Sequence, residues 1–237
     1  VFARVFARLE PEQLQSAFLS WVRSVSQLSD GEVIPIDGKR VRRSYDQGKS
    51  KGAIHMVSAW ASQNRLVLAQ RKVDEKSNEI TAIPALLKVL DLEGCIVTID
   101  AMGTQKAIAQ QIVTQGGDYV LALKGNQGSL YEDVQQLFDW AHKQDFKDID
   151  HDFYETLETG HGRIEKRRCW SLGQVEALLD SQQWAKLTSI AMVEAIREEN
   201  NRTSRAVRFY ISSLAPDAQR LSAAIRTHWS IENPLHW

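Results

Sequence analysis

The amino-acid sequence predicts an α/β protein: a mixed five-stranded sheet with flanking helices, and a β-rich insertion before the last helix. Three observations carry this. Residues 95–100 and 118–123 are short and almost wholly apolar, as suits strands covered on both faces in a parallel pair. Helix-period segments alternate with them. Downstream, residues 152–172 and 187–213 alternate polar and apolar, and are rich in Thr, Tyr, Ile and Val.

Residues 9–28 read as a helix. Pro11 stands near its start, and Leu14, Phe18, Trp21, Val22 and Val25 keep the spacing of one apolar face. Ser29–Glu32 is a turn. The apolar run Val33–Ile36 follows and ends in Asp37-Gly38. Residues 38–52 carry six basic side chains (Lys39, Arg40, Arg42, Arg43, Lys49, Lys51) against one acid, Asp46, and read as an exposed loop. It is either a solvated turn or a phosphate-contacting loop, in which each cation adds salt-dependent affinity.

Residues 53–61 and 65–73 are strand-like and joined by Ser62-Gln63-Asn64. With residues 33–37 they make an antiparallel meander of three strands. Pro35 conflicts with a central ladder and is expected at a bulge. A helix is expected over 78–91, with Ile80, Ile83, Leu86, Leu87 and Leu90 on one face and Pro84 in its early turns. The strand at 95–100, a helix at 104–115, the strand at 118–123 and a helix at 127–143 follow. Three meander strands and then α/β crossovers is the order of the RNase H-like fold. In the β-rich segment a helix is expected at 174–184 and a polar turn at Arg197–Arg205. Residues 216–237 read as helical, with Leu221, Ile225, Trp229 and Glu232 on one face. The expected plan is an N-terminal helical remainder (1–28), a core (29–145), an insertion (146–214) and a C-terminal core helix (215–237).

Composition sets bounds. With 29 Lys+Arg against 30 Asp+Glu, the chain is near neutral, so nucleic-acid binding must come from local patches. Arg163, Lys166, Arg167 and Arg168 form a second such patch, or a solvated strand face. Cys95 and Cys169 are too few for a disulfide framework and are expected to be reduced thiols. No apolar run approaches the ~20 residues of a membrane helix, and no signal-peptide pattern opens the chain. A cytoplasmic protein without a membrane partner or a small-molecule substrate is expected. The chain opens on Val1 and stops at Trp237 inside a helical stretch, so a fragment of a longer protein is expected. His55, His151 and His161 lack metal-ligand spacing and are expected to be structural.

Two aspartates occupy equivalent places. Asp37 and Asp100 each end an apolar strand, at the sheet edge where α/β folds bind ligands. If the first and fourth strands pair in parallel, the two carboxylates become neighbours and repel. A divalent cation resolves that repulsion. Mg²⁺ or Mn²⁺ takes oxygen ligands, and two ions ~4 Å apart clamp the attacking and leaving oxygens of phosphoryl transfer. The plainer alternative is a pair of turn residues, since Asp-Gly is a common turn. Lys124, Asn126 and Gln127 follow a buried strand at the same edge, as a loop cap or as DNA contacts. Glu232 is the third candidate carboxylate, in His228-Trp229-Ser230-Ile231-Glu232-Asn233.

Four motifs occur in a fixed order: Ile36-Asp37-Gly38-Lys39, Thr98-Ile99-Asp100-Ala101-Met102, Tyr119-Val120-Leu121-Ala122-Leu123-Lys124-Gly125-Asn126-Gln127, and the His228–Asn233 peptide. Together they resemble the H-repeat-associated transposases, a branch of the bacterial insertion-sequence DDE transposases. The resemblance implies an RNase H-like catalytic core whose triad is Asp37, Asp100 and Glu232. These would hold two Mg²⁺ or Mn²⁺ ions while water and then a 3′-hydroxyl attack DNA phosphodiesters. It also implies double-stranded DNA as partner (element ends and target), a homodimer, and a β-rich insertion between the second and third acids. Related families carry an Arg and a Tyr ahead of the glutamate, where this chain has His228 and Ile225. The alternative is a truncated, inactive remnant that binds DNA through Lys39, Arg40, Arg42 and Arg43.

Overall fold

The computed structural model describes residues 2–25, 28–41, 44, 54–73, 79–160, 162–200 and 202–231. Helices α1 (Phe2–Phe6) and α2 (Pro11–Val25) lead into three strands, β1 (Val33–Arg40), β2 (His55–Ala61) and β3 (Leu66–Val73). Helix α3 (Glu79–Leu87), strand β4 (Ile96–Ile99), helix α4 (Lys106–Thr114), strand β5 (Asp118–Leu123) and helix α5 (Ser129–Lys143) alternate next. Four long strands follow, β6 (His151–Gly160), β7 (Arg163–Leu172), β8 (Ser189–Glu199) and β9 (Arg202–Ser212). Helix α6 (Ala218–Ser230) is last.

The expected five-stranded sheet is one half of a larger one. Among the described residues a single sheet has nine strands, in the order β3-β2-β1-β4-β5-β9-β8-β7-β6. The β-rich segment does not stand apart from the first five strands. Its last strand, β9, pairs antiparallel with β5, Leu121 opposite Ile211. Only β1–β4 and β4–β5 are parallel. That agrees with the apolar character of β4, all four of whose residues are buried.

Alternation along the strands divides the apolar side chains between two faces. Ile34, Ile36, Val97, Ile99 and Leu121 share one core with α3, α4 and α5. Ile96, Val120 and Tyr210 share the other with Leu221, Ala224 and Ile225 of α6. Asp217 starts α6 by accepting the Arg220 backbone N–H at 2.8 Å.

Four further expectations are corrected. The segment 174–184 is not a helix but two short 3₁₀ turns, Val175–Ala177 and Ser181–Gln183. Burying Val175, Leu178 and Trp184 against the core leaves Leu178 extended, which breaks any helix there. Strand β1 does not stop at Asp37. It runs on to Arg40, because Lys39 and Arg40 pair with Met56 and His55 of β2. Lys39 and Arg40 therefore lie in a strand and not in a loop, whereas Arg42, Arg43, Lys49 and Lys51 lie outside the described residues. Strands β8 and β9 run through most of the expected turn, with facing pairs from Arg197–Ser204 out to Glu199–Arg202. The last helix ends at Ser230, and Glu232 lies outside the described residues. Pro35 stands beside Thr98 of β4. The β1–β2 register brings it opposite Trp60, where β2 shifts register against β3. Among the described residues no helix is long and apolar enough to cross a membrane.

Candidate active site

The parallel ladder of β1 and β4 closes with Ile36 beside Ile99. Asp37 and Asp100 are the next residues on each chain. Their backbones therefore lie side by side at the same level, about 5 Å apart by ordinary strand spacing. This is the juxtaposition the two apolar runs predict. The chain departs from the sheet differently at each. After Asp100 it turns at once, and the carboxylate accepts the Met102 and Gly103 backbone N–H groups at 3.1 and 3.3 Å. Asp37 stays in β1, and its Oδ1 accepts the Gly38 N–H at 2.8 Å.

Both carboxylates line a cleft of about 480 Å³, with Lys124, Arg208, His228 and Trp229 on its other walls. Alternation puts Asp37 on the α6 side of β1, with Val33 and Pro35. Thr98, buried on the same side of β4, binds His228 Nδ1 at 3.0 Å and so orients the imidazole. The Arg208 guanidinium lies 4.7 Å from the Trp229 ring centre, a cation–π contact that holds a positive charge at the cleft mouth. Trp229 does not complete the buried stripe of Leu221 and Ile225. It is 43% exposed.

Asn126 and Gln127 brace the loop after Asp100. Their side-chain amides both donate to the Ala101 carbonyl, at 2.9 and 2.7 Å. Thr104 donates to the Ala122 carbonyl at 2.7 Å, tying the same loop to β5. Lys124 faces the cleft. Lys39 is half-buried and Arg40 exposed on β1.

Behind the site, on the α3 side of β1, lies an acid that the sequence reading passed over. Glu79, first residue of α3, is only 8% exposed. Its carboxylate meets His55 Nε2 at 2.7 Å. Burial pushes its pKa up, as do the charges of Asp100 and, more weakly, Asp37, while His55 pulls it down. The only sequence signal was a carboxylate opening an amphipathic helix. That is ordinarily a solvent-facing complement to the helix dipole.

Two adjacent aspartates supply hard oxygen donors of the kind Mg²⁺ and Mn²⁺ prefer. Among the described residues no three His, Cys, Asp or Glu side chains are grouped so as to hold an ion. The donor pair suits a divalent cation that draws a further ligand from elsewhere.

The chain matches the family described as the transposase DDE domain over residues 28–237. It is 41% identical over 240 residues to the Escherichia coli (strain K12) protein YbfL, and equally to YhhI of the same strain, whose name provisionally makes it an H repeat-associated transposase. Each match covers 99% of this chain and 63% of the relative. YncI of Escherichia coli O157:H7, provisionally named a transposase, is 41% identical over 239 residues, 99% of this chain and 60% of its own. The chain thus spans about three-fifths of the length of these relatives.

Proposed function

This chain belongs to the transposase DDE domain family, among relatives that include H repeat-associated members, and from that premise we propose that it carries the active site of a DDE-type transposase. Its reaction would be divalent-metal-dependent cleavage of DNA at the ends of an insertion-sequence-like element, followed by strand transfer to a target. The observation that supports this best is that Asp37 and Asp100 directly follow the paired Ile36 and Ile99 of two parallel strands and line one cleft, which Lys124, Arg208 and His228 also line.

Asp37, Asp100 and Glu232 would hold Mg²⁺ or Mn²⁺, two ions in the full site. When bound, the metal supplies Lewis-acid polarisation of the scissile phosphate and a more acidic attacking hydroxyl. The remaining work falls to the chain itself. Asn126 and Gln127, by fixing the Ala101 carbonyl, hold the loop that carries Asp100. Lys124 and Arg208 offset phosphate charge at the cleft. His228, oriented by Thr98, would contact the backbone of the DNA. Lys39, Arg40, Arg42 and Arg43, with Asn126 and Gln127, would add further DNA contacts. An RNase H-like core, a homodimer and a cytoplasmic, DNA-associated protein belong to the same reading.

Calorimetric titration of Mn²⁺ and Mg²⁺, alone and with a DNA duplex, into the chain and into the Asp37→Asn/Asp100→Asn variant tests it. Plasmid nicking in Mn²⁺ is run alongside. The expected result is metal binding and nicking by the parent and neither by the variant. Binding of metal and DNA without nicking would mark an inactive, DNA-binding relative. No metal binding even with DNA present would overturn the reading.

A further inference from the structure

We infer that Glu79, anchored by His55, is a positioning residue for the Asp37–Asp100 pair and acts both through the backbone of Gly38 and through its own negative charge. This rests on the reading that the pair binds a divalent cation. The geometry begins with β1. Alternation turns Asp37 toward α6 and Gly38 toward α3. On the α3 side the Glu79 side chain fills the space a residue-38 side chain would occupy. A β-carbon built on Gly38 would fall 2.9 Å from Glu79 Cγ and closer still to the carboxyl group. Gly38 does not have the left-handed backbone that alone would require glycine. The demand at this position is for room. Glycine directly after Asp37 lets a buried carboxylate lie against β1 beside that aspartate.

His55 holds that carboxylate from the other side. It lies on β2 opposite Arg40, two residues past Gly38, and so on the same face. Its Nε2 reaches Glu79 Oε1 at 2.7 Å. A buried carboxylate placed within the field of two others is unfavourable for a fold that carries no cation there. The same carboxylate favours a cation at the strand ends, and it fixes the backbone that aims Asp37. Groups that orient a metal's ligands in this way are ordinarily worth tenfold or more in metal affinity.

Three variants of the full chain test this: Glu79→Gln, Gly38→Ala and Gly38→Ala/Glu79→Ala. Each is titrated with Mn²⁺ by calorimetry and melted in chelator. Glu79→Gln keeps the shape and the partner for His55, and should weaken Mn²⁺ binding about tenfold without lowering the unfolding temperature. Gly38→Ala should lose both stability and affinity, because the added methyl expels the carboxylate. The double variant should recover the unfolding temperature and stay about tenfold weak. A purely structural role would instead restore affinity together with stability. Parent-like affinity in Glu79→Gln, or in the double variant, overturns the inference while leaving the Asp37–Asp100 site intact. If the parent and Asp37→Asn/Asp100→Asn titrate alike even with a DNA duplex present, the metal-site reading fails and the inference falls with it.

Discussion

Replacing Asp100 by asparagine should stabilise the metal-free chain. Asp37 and Asp100 directly follow the facing residues Ile36 and Ile99 of adjacent parallel strands, and so lie at the same level. Two unit charges about 5 Å apart repel by about 0.8 kcal/mol in bulk water and about 3 kcal/mol at an effective dielectric constant of about 20. The cleft is open on one side, so a gain of about 2 kcal/mol is the central expectation. For a chain of this size that raises the unfolding temperature by about 4–8 °C. Asparagine is the right probe because its side-chain oxygen can still accept the Met102 and Gly103 backbone N–H groups. The turn then survives and only the charge is lost. Adding Mn²⁺ should reverse the ranking. At about a hundredfold excess over Kd, binding to the folded state adds about 2.7 kcal/mol to the parent and little to the variant. The assay is a pair of calorimetric or circular-dichroism melts, in chelator and in Mn²⁺. An Asp100→Asn protein that melts at or below the parent in chelator refutes the paired-charge argument, and so does an equal Mn²⁺-induced rise for both.

Three further outcomes are expected. Arg168 and Lys166 hold the Glu155 carboxyl below its ordinary value of 4.5, and Arg226 does the same for Glu158. Their contribution is therefore fully present above pH 4.5 and fades as the pH falls through the lowered values. Melts from pH 7 to pH 3 should show a Glu155→Gln/Glu158→Gln variant losing slightly less stability than the parent over that range, the effect being small because both pairs face solvent. Burial pushes the Cys95 thiol up to about 11 and the Cys169 thiol up to about 12. Neither should react with iodoacetamide at pH 8 in the folded chain, and mass spectrometry should find both labelled in denaturant. Tyr119, fully buried, donates its hydroxyl to the Ala185 carbonyl at 2.9 Å. Tyr119→Phe should lose about 1 kcal/mol, read as a fall of about 2–4 °C in unfolding temperature.

The two aspartates were legible because each closes an apolar run, and the rule that places ligands at the carboxyl edge of a parallel sheet needs no long-range information. Glu79 was not legible. Its meaning depends on Gly38 and His55, which lie far from it in the chain, and a glutamate opening a helix looks like an ordinary surface residue. The Asp37-Gly38 pair misled in a related way. In sequence it resembles a turn, yet here the glycine continues a strand and leaves space for a carboxylate. The strands of the β-rich segment were readable from their alternation. Their fusion with the first half of the sheet was not, because the β5–β9 register is set by contacts such as Leu121 with Ile211 that leave no local mark. The 174–184 segment failed for the opposite reason, its helical composition being overridden by the need to bury Trp184 and Leu178.

The β5–β9 junction bears on how the protein is made. Strand β5 emerges from the ribosome well before β9, and α5 and three long strands must be synthesised between them. During that interval Asp118–Leu123, one of the most apolar strands in the chain, presents a row of unpaired backbone groups along one side. Such an edge is a template for pairing with another chain. Newly made polypeptide is therefore most prone to stick to its neighbours after β5 has appeared and before Phe209–Ser212 arrive to cover it. Slow translation through the β6–β8 region would lengthen that exposure, so yield in a heterologous host should depend on how quickly those codons are read.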